Sequence, residues 1–526
     1  MSEVLDTTVV ESKTDVKTQT PVRKCISGCR DTVSLVERVC LIALITLGIE
    51  SALFFLFWWF EPQHRRNNLF FVFLSFAIGW GVFRTVINWF YLFFITGTNH
   101  KKVKEGLSVD VFTTAMPGEP YEMFEKTLSA IAKIQYPHTS YLLDGGNDPK
   151  LQKLCQKLGV IHLDCSKVEG AKAGKVNYAM QRSSGEYILV IDPDHIPEDN
   201  FFHQVLGHFD DPQVGFVQVV QGYYNQSESF VARASAEQTY DFYGPTMMGM
   251  QGLGTTVAIG ANCTFRRSAL ESIGGHAVHL AEDLVTSIRL HASGWKSAYV
   301  PYKLTSGLAP GDLGAYFKQQ LKWCTGMFGA FSQEVLPRFK KLKFSQKLHY
   351  LFAGSYYLEG LATAITCILP IIFLFFGLWA VEMEFTEFLI HLAPYALMCL
   401  VISWYVQRWF RHPDEKGFLW RSMVLKKGTW PIYIIGLINW ITRQKVPYLP
   451  TPKKKECKTF TGLVIPHLFI VVLSVAAVVY SILTYDRMES GVWVMIFFAV
   501  CNVILMLPVV VIAHSQWFTS KGGSNE

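Results

Sequence analysis

Charge is scarce in this chain. Asp, Glu, Lys and Arg make up only 17% of its 526 residues, while half of all residues are hydrophobic. That balance excludes an ordinary soluble enzyme. The 11 cysteines also lack any metal-ligand spacing. Reduced, inert thiols are the default for them, with acylation of Cys25 or Cys29 beside a membrane as the alternative. No apolar core segment lies in residues 1–30, so no signal peptide is expected there. The net charge of +6 is modest and calls for no nucleic-acid partner.

What the chain does have is long apolar runs. Six are long enough to cross a hydrocarbon core: Val39–Phe60, Leu69–Ile95, Glu359–Val381, Phe388–Phe410, Thr461–Tyr485 and Val492–Ala513. A polar block between the second and third is large enough for a domain with its own core. The expected division is a disordered tail (1–38), two transmembrane helices (39–96), a polar domain with interfacial helices (97–345), four further transmembrane helices (346–515) and a short tail (516–526). Basic residues gather in the N-terminal tail, at Arg408–Lys416 and at Lys445–Lys458, which puts the polar block and both termini on the cytosolic side of a plasma membrane. Arg65 and Arg66 run against that asymmetry. Glu50 and Arg84, near the middle of the first two spans, are expected to pair or to face an aqueous path.

Within the polar block, Tyr187-Ile-Leu-Val-Ile reads as a strand covered on both faces and ends in Asp192-Pro-Asp194-His195. In open α/β sheets ligands sit beyond the carboxyl ends of such strands. Two carboxylates on either side of a stiff proline suit a hard divalent cation that also holds a diphosphate. The alternative is an acidic, proline-bent turn. Strands at Val109–Ala115, Tyr141–Asp144, Val160–Asp164 and Val214–Val220 alternate with helices, the rhythm of a doubly wound sheet. Asp144 therefore falls on the same edge as Asp192 and Asp194. Lys172 lies in a small-residue loop, Gly-Ala-Lys172-Ala-Gly, suited to a phosphate or a base. Glu282 and Asp283 open a helix, either as dipole compensation or as a base facing an acceptor hydroxyl. Gln319, Lys322 and Trp323 share one helix face, where the tryptophan can stack on a sugar or anchor at the membrane surface.

Taken in order, Asp144-Gly-Gly, Lys172-Ala-Gly, Asp192-Pro-Asp194-His, Glu282-Asp283 and Gln319-x-x-Lys322-Trp323, flanked by membrane spans, resemble the processive family-2 glycosyltransferases, in particular bacterial cellulose synthase catalytic subunits and related β-glucan synthases. Tyr448-Leu-Pro-Thr451-Pro-Lys453 is similar to the family's gating loop, with Lys416–Ile441 before it as an interfacial helix. The resemblance implies a glycosyltransferase-A-type domain, a Rossmann-like mixed sheet, inserted in about six membrane helices. It also implies residue roles. Asp144 and Lys172 would hold the uridine end, and Asp192 and Asp194 the sugar diphosphate through Mg²⁺ or Mn²⁺. Asp283 would be the general base, Gln319, Trp323 and Glu282 would bind the acceptor, Lys322 would contact the pyrophosphate, and Thr451 and Lys453 would cover the donor. Tyr356, Tyr357 and Glu359 would line a channel for the polymer. UDP-glucose is the donor it suggests, with no nucleic acid involved.

The chain departs from the family pattern at Leu143, Ala281 and Lys322, and at Met116-Pro-Gly-Glu119. These changes touch the nucleotide and acceptor ends, so linkage and sugar stay open. A hyaluronan-, chitin- or poly-N-acetylglucosamine-type synthase is the alternative within the same architecture. A transporter with a cytosolic regulatory domain would leave the acidic motifs unexplained.

Overall fold

The computed structural model describes residues 32–98, 101–444, 460–485 and 490–514. The polar block is built on an eight-stranded sheet: β1 (Val109–Ala115), β2 (Thr139–Asp144), β3 (Ile161–Asp164), β4 (Tyr187–Ile191), β5 (Ile196–Pro197), β6 (Val214–Tyr223), β7 (Asn262–Arg266) and β8 (Lys296–Gly307). Their spatial order is β3-β2-β1-β4-β7-β6-β8-β5. Strands β3, β2, β1 and β4 run parallel, β7 is antiparallel to β4 and β6, and β8 pairs parallel with β6. The parallel half is the part that periodicity made readable. Strands β5, β7 and β8 were not foreseen. Asn262-Cys-Thr-Phe-Arg and Lys296-Ser-Ala-Tyr carry polar residues at positions that only their sheet neighbours explain: Asn262 Nδ2 donates to Val220 O at 3.2 Å and Arg266 Nε to Val214 O at 3.1 Å.

Every residue of β1 and β4 is buried, and alternate side chains enter two different cores. Leu189 and Ile191 join Val111, Leu142 and Val217 on one face, while Ile188 and Val190 join Phe112, Leu143 and Phe265 on the other. Each such side chain contributes about 1.5–3 kcal/mol by leaving water. With both faces filled the strand register is fixed, because a one-residue slip would exchange the two cores. The acids at the strand ends therefore have defined positions.

Among the described residues, six helical runs are long and apolar enough to cross a membrane: Leu35–Trp59, Asn68–Phe93, Phe344–Phe376, Phe385–Trp409, Thr461–Thr484 and Ser490–His514. The molecule has a multi-pass membrane architecture. The third run starts well before the apolar segment read from sequence, because a helix at Phe344–Ser355 and a short 3₁₀ turn lead into Glu359–Phe376. The interfacial stretch expected at Lys416–Ile441 is two helices, Trp420–Gly428 and Trp430–Ile441, meeting at Thr429. Tyr91, Leu92 and Ile95 of the second span pack with Met247, Val285, Ile288 and Tyr299 of the sheet domain, so one continuous core joins the two parts.

Arg84 does not pair with Glu50. It donates to Phe352 O at 3.2 Å and lies over the Tyr356 ring at 4.9 Å, whereas Glu50 is exposed on its own helix. Arg65 and Arg66 are also used locally. Arg65 bridges to Val381 and covers Phe71, while Arg66 covers Trp379 at 4.7 Å and reaches Glu382 at 3.9 Å. The arginines that broke the charge rule thus staple two inter-helix turns together.

Candidate active site

The site begins at the end of β4. Asp192 N donates to Ala261 O at 2.9 Å, His195 N closes the turn onto Asp192 O at 3.0 Å, and Thr127 Oγ1 donates to Pro193 O at 2.7 Å. The turn thus closes on itself and is held by two separate elements. Asp194 and His195 are buried, and their side chains meet at 3.3 Å. Leu308 N, just past β8, donates to the other Asp194 oxygen at 3.3 Å. Gly307 lies flat against the His195 ring, where an added Cβ would come within 2.3 Å of Cε1. Asp192, Asp194 and His195 each offer one ligand atom, and these atoms lie within 4.8 Å of one another. His195 Nε2 is buried without a hydrogen-bond partner among the described residues. This oxygen-rich donor set fits a hard divalent cation.

Asp144 stands two strands away, about 10 Å by strand spacing. It is buried and accepts from Gly146 N at 2.8 Å, Asp148 N at 2.7 Å and His162 Nε2 at 3.0 Å. The lysine beside it is Lys175, which donates to Ala115 O at 2.7 Å, and an added Cβ on Gly145 would strike its ammonium. Lys172, expected at the uridine end, instead bonds Asp192 and Gly260 O. Both lysines come from α1 (Ala171–Met180), and their three-residue spacing sends one to each acid. Burial alone would lower the Lys172 pKa, but Asp192, Glu282 and Asp283 carry it above the usual value.

Glu282 and Asp283 open α2 (Glu282–Ala292). Asp283 Oδ1 accepts from its neighbour Leu284 N at 2.8 Å, and its Oδ2 lies 3.1 Å from where a Cβ on Gly260 would stand. Gly260 has φ +80°, so the residue whose carbonyl takes Lys172 also sits against Asp283. Ser287 fastens that loop to α2 by accepting from Ala258 N at 2.8 Å and donating to Asp283 O at 2.9 Å. Burial, with Asp283 next to it, pushes Glu282 up to about 7, and burial likewise raises Asp283. No spacing in the sequence indicates that Gly260 joins the two acidic clusters.

Helix α3 (Leu313–Ala330) crosses the start of α2, with Gly326 against Ala281: a Cβ added at Gly326 would lie 3.1 Å from the Ala281 Cβ. The departure at Ala281 thus matches a close helix approach. Gln319 and Lys322 are half-buried and Trp323 is 44% exposed, while Gln320 is buried and accepts from Tyr433 Oη at 3.1 Å. Beyond them, Tyr357 packs on Tyr433 at 5.0 Å and is buried, and Glu359 accepts from Trp80 Nε1 at 3.0 Å and from Lys427. Thr451 and Lys453 lie outside the described residues, as do Tyr448 and Pro450.

Lys172, expected in a loop, stands in the first turn of α1, and Gly174 shows how tightly that turn is built. A Cβ there would stand 1.8 Å from Glu169 O. Gly174→Ala is expected to displace Lys172 and to destabilise the protein by about 1–3 kcal/mol through overpacking. A lowered Tm with weakened UDP binding would show this, and an unchanged Tm would refute it.

A half-parallel mixed sheet with acids at its strand ends defines a glycosyltransferase domain of the A type, here joined to membrane helices. Residues 112–326 match the family described as Glycosyltransferase like family 2, and residues 271–413 match Cellulose synthase. The chain thus resembles the family-2-like glycosyltransferases over residues 112–326 and the cellulose synthases over residues 271–413. It is 30% identical over 281 residues to the UDP-forming cellulose synthase catalytic subunit of Komagataeibacter sucrofermentans, covering 51% of this chain and 37% of that protein. It is 24% identical over 422 residues to the corresponding subunit of Pseudomonas fluorescens, covering 76% of this chain and 56% of that protein. The chain therefore spans about half the length, or less, of these curated relatives. Among solved structures, a mannosyltransferase from Pyrobaculum calidifontis in complex with GDP-Man and Mn²⁺ has 14% identity and a TM-score of 0.47, covering 72% of this chain and 99% of its own.

Proposed function

We propose that this chain is a processive, inverting membrane glycosyltransferase that polymerises glucose from UDP-glucose into a β-glucan and passes the polymer across the membrane. The observation that carries the reading is Lys172 spanning Asp192 on one side and the Gly260–Asp283 contact on the other, within a domain whose core continues into membrane helices. A carboxylate cluster for a metal diphosphate and a carboxylate for an acceptor belong side by side in a sugar-transfer site. The basic N-terminal tail and inter-helix segments support a plasma-membrane location with this domain and both termini in the cytosol.

Bound Mg²⁺ or Mn²⁺, held by Asp192 and Asp194, would neutralise the diphosphate as it leaves. Asp144 and Lys175 bracket the nucleotide end. Gln319 and Trp323 hold the acceptor terminus, and Lys322 faces the pyrophosphate. Asp283 takes the proton from the acceptor hydroxyl. That oxygen then bonds to the sugar C1 while the C1–O bond to UDP breaks, and UDP departs with the electron pair. A single displacement turns an α-linked donor into a β-linked product.

The test supplies purified protein with labelled UDP-glucose and Mg²⁺ or Mn²⁺, then digests the product with β-1,4- and β-1,3-specific glucanases. A digestible polymer is expected. Turnover of UDP-N-acetylglucosamine or another donor instead would move the reading to a chitin- or hyaluronan-type synthase. A well-folded protein that turns over no donor would overturn it.

A further inference from the structure

Between the site and the third membrane run lies a segment that the catalytic reading does not use. Leu336–Arg338, the 3₁₀ turn Phe339–Lys341 and the start of Phe344–Ser355 carry Arg338, Lys340, Lys341, Lys343 and Lys347 within ten residues. Arg338 is spent on Glu334, at 2.7 Å. The four lysines have no carboxylate partner among the described residues; Lys340, Lys341 and Lys343 are exposed, and Lys347 lies over the Phe339 ring at 5.4 Å. Large apolar side chains stand open among them: Leu336 is 53% exposed, Phe344 76% and Leu351 37%. Phe344 and Leu351 are two helical turns apart and so share a face.

The depth of this segment follows from helix length. After the 3₁₀ turn, Glu359–Phe376 has 18 residues, a rise of about 27 Å at helical pitch, which by itself nearly fills a hydrocarbon core of about 30 Å. The preceding helix Phe344–Ser355 is therefore left at the headgroups. Exposed aromatic and aliphatic side chains interleaved with unpaired lysines at that depth match a surface that inserts apolar groups between lipids and holds anionic headgroups.

We infer that Lys340, Lys341, Lys343 and Lys347, with Leu336 and Phe344, form a docking surface for anionic phospholipid headgroups. The surface is wired to the site. Glu334 accepts from Arg289 of α2 at 2.7 Å and pairs with Arg338, and His291 of α2 meets Tyr350 Oη at 2.7 Å.

The test cross-links the full chain in detergent micelles with photoactivatable phosphatidylglycerol or phosphatidylcholine and maps the labelled peptides. Labelling of the 336–347 peptide is expected to favour phosphatidylglycerol. In K340Q/K341Q/K343Q/K347Q it should fall by up to about several hundredfold, since each of the four basic residues near an anionic surface contributes about fivefold. Labels elsewhere should stay constant, and the four-arginine variant should keep the preference. K133Q/K150Q/K153Q/K157Q, which removes exposed lysines of the sheet domain, should change nothing. Should the four-glutamine chain fail to purify, K340Q/K341Q carries the test with an expected fall of about half that size on a logarithmic scale. Equal labelling by both lipids, or labelling that survives the glutamine substitutions, would overturn the inference.

Discussion

Asp283→Asn is expected to lower polymer formation by about a hundred- to ten-thousand-fold, the range a positioned general base supplies, while UDP binding stays near wild type. The asparagine can still accept from Leu284 N and keep its place beside Gly260. It cannot take a proton. The pH dependence is part of the same prediction. Burial and its neighbour push Glu282 up to about 7, and burial raises Asp283, so this pair holds a proton to higher pH than ordinary carboxyls do. Transfer needs the carboxylate form, so the rate should rise with pH through neutrality, and Glu282→Gln should move that acid limb to lower pH by removing one of two like charges. Steady-state transfer and UDP titration on the same preparations check it. Loss of UDP binding in Asp283→Asn would remove the base assignment.

The second large effect is expected at Asp194. Asp194→Asn should reduce synthesis about a hundredfold or more, because a bound divalent ion stabilises departing charge by several kcal/mol, and a chelator should stop the wild-type enzyme. The substitution is close in shape. Two contacts of the side chain, Leu308 N and His195 Nδ1, both at 3.3 Å, test the packing separately from the charge. An unchanged Tm with a weakened Mn²⁺ response is the expected pattern. Full activity in the chelator would remove the metal role of both aspartates.

The parallel half of the sheet was legible because β4 is a continuous apolar run and β1 and β2 are rich in β-formers such as Val109, Val111, Phe112, Tyr141 and Leu142, all of them buried. In the antiparallel half only β6 was legible. Strands β7 and β8 contain Asn262, Thr264, Ser297 and Thr305, all buried, and Asn262 Nδ2 donates to Thr305 Oγ1 across the sheet rather than along the chain. Periodicity reports burial only when the buried residues are apolar. Lys172 and Lys175 show the same limit within the site. Both stand in one motif, and which lysine meets which acid depends on how α1 lies across the strand ends.

The sequence by itself determined that there are six membrane-length runs around a polar domain, that acids end its strands, and that Gln319, Lys322 and Trp323 share a helix. Each of these follows from local composition or spacing. Only the tertiary structure decided that Gly260 joins Lys172 to Asp283, that Gly326 brings α3 onto Ala281, and that Arg84 turns to Phe352 and Tyr356 rather than to Glu50. Those are contacts between segments far apart in the chain. They depend on which backbones can approach closely, and no local pattern of side chains encodes that.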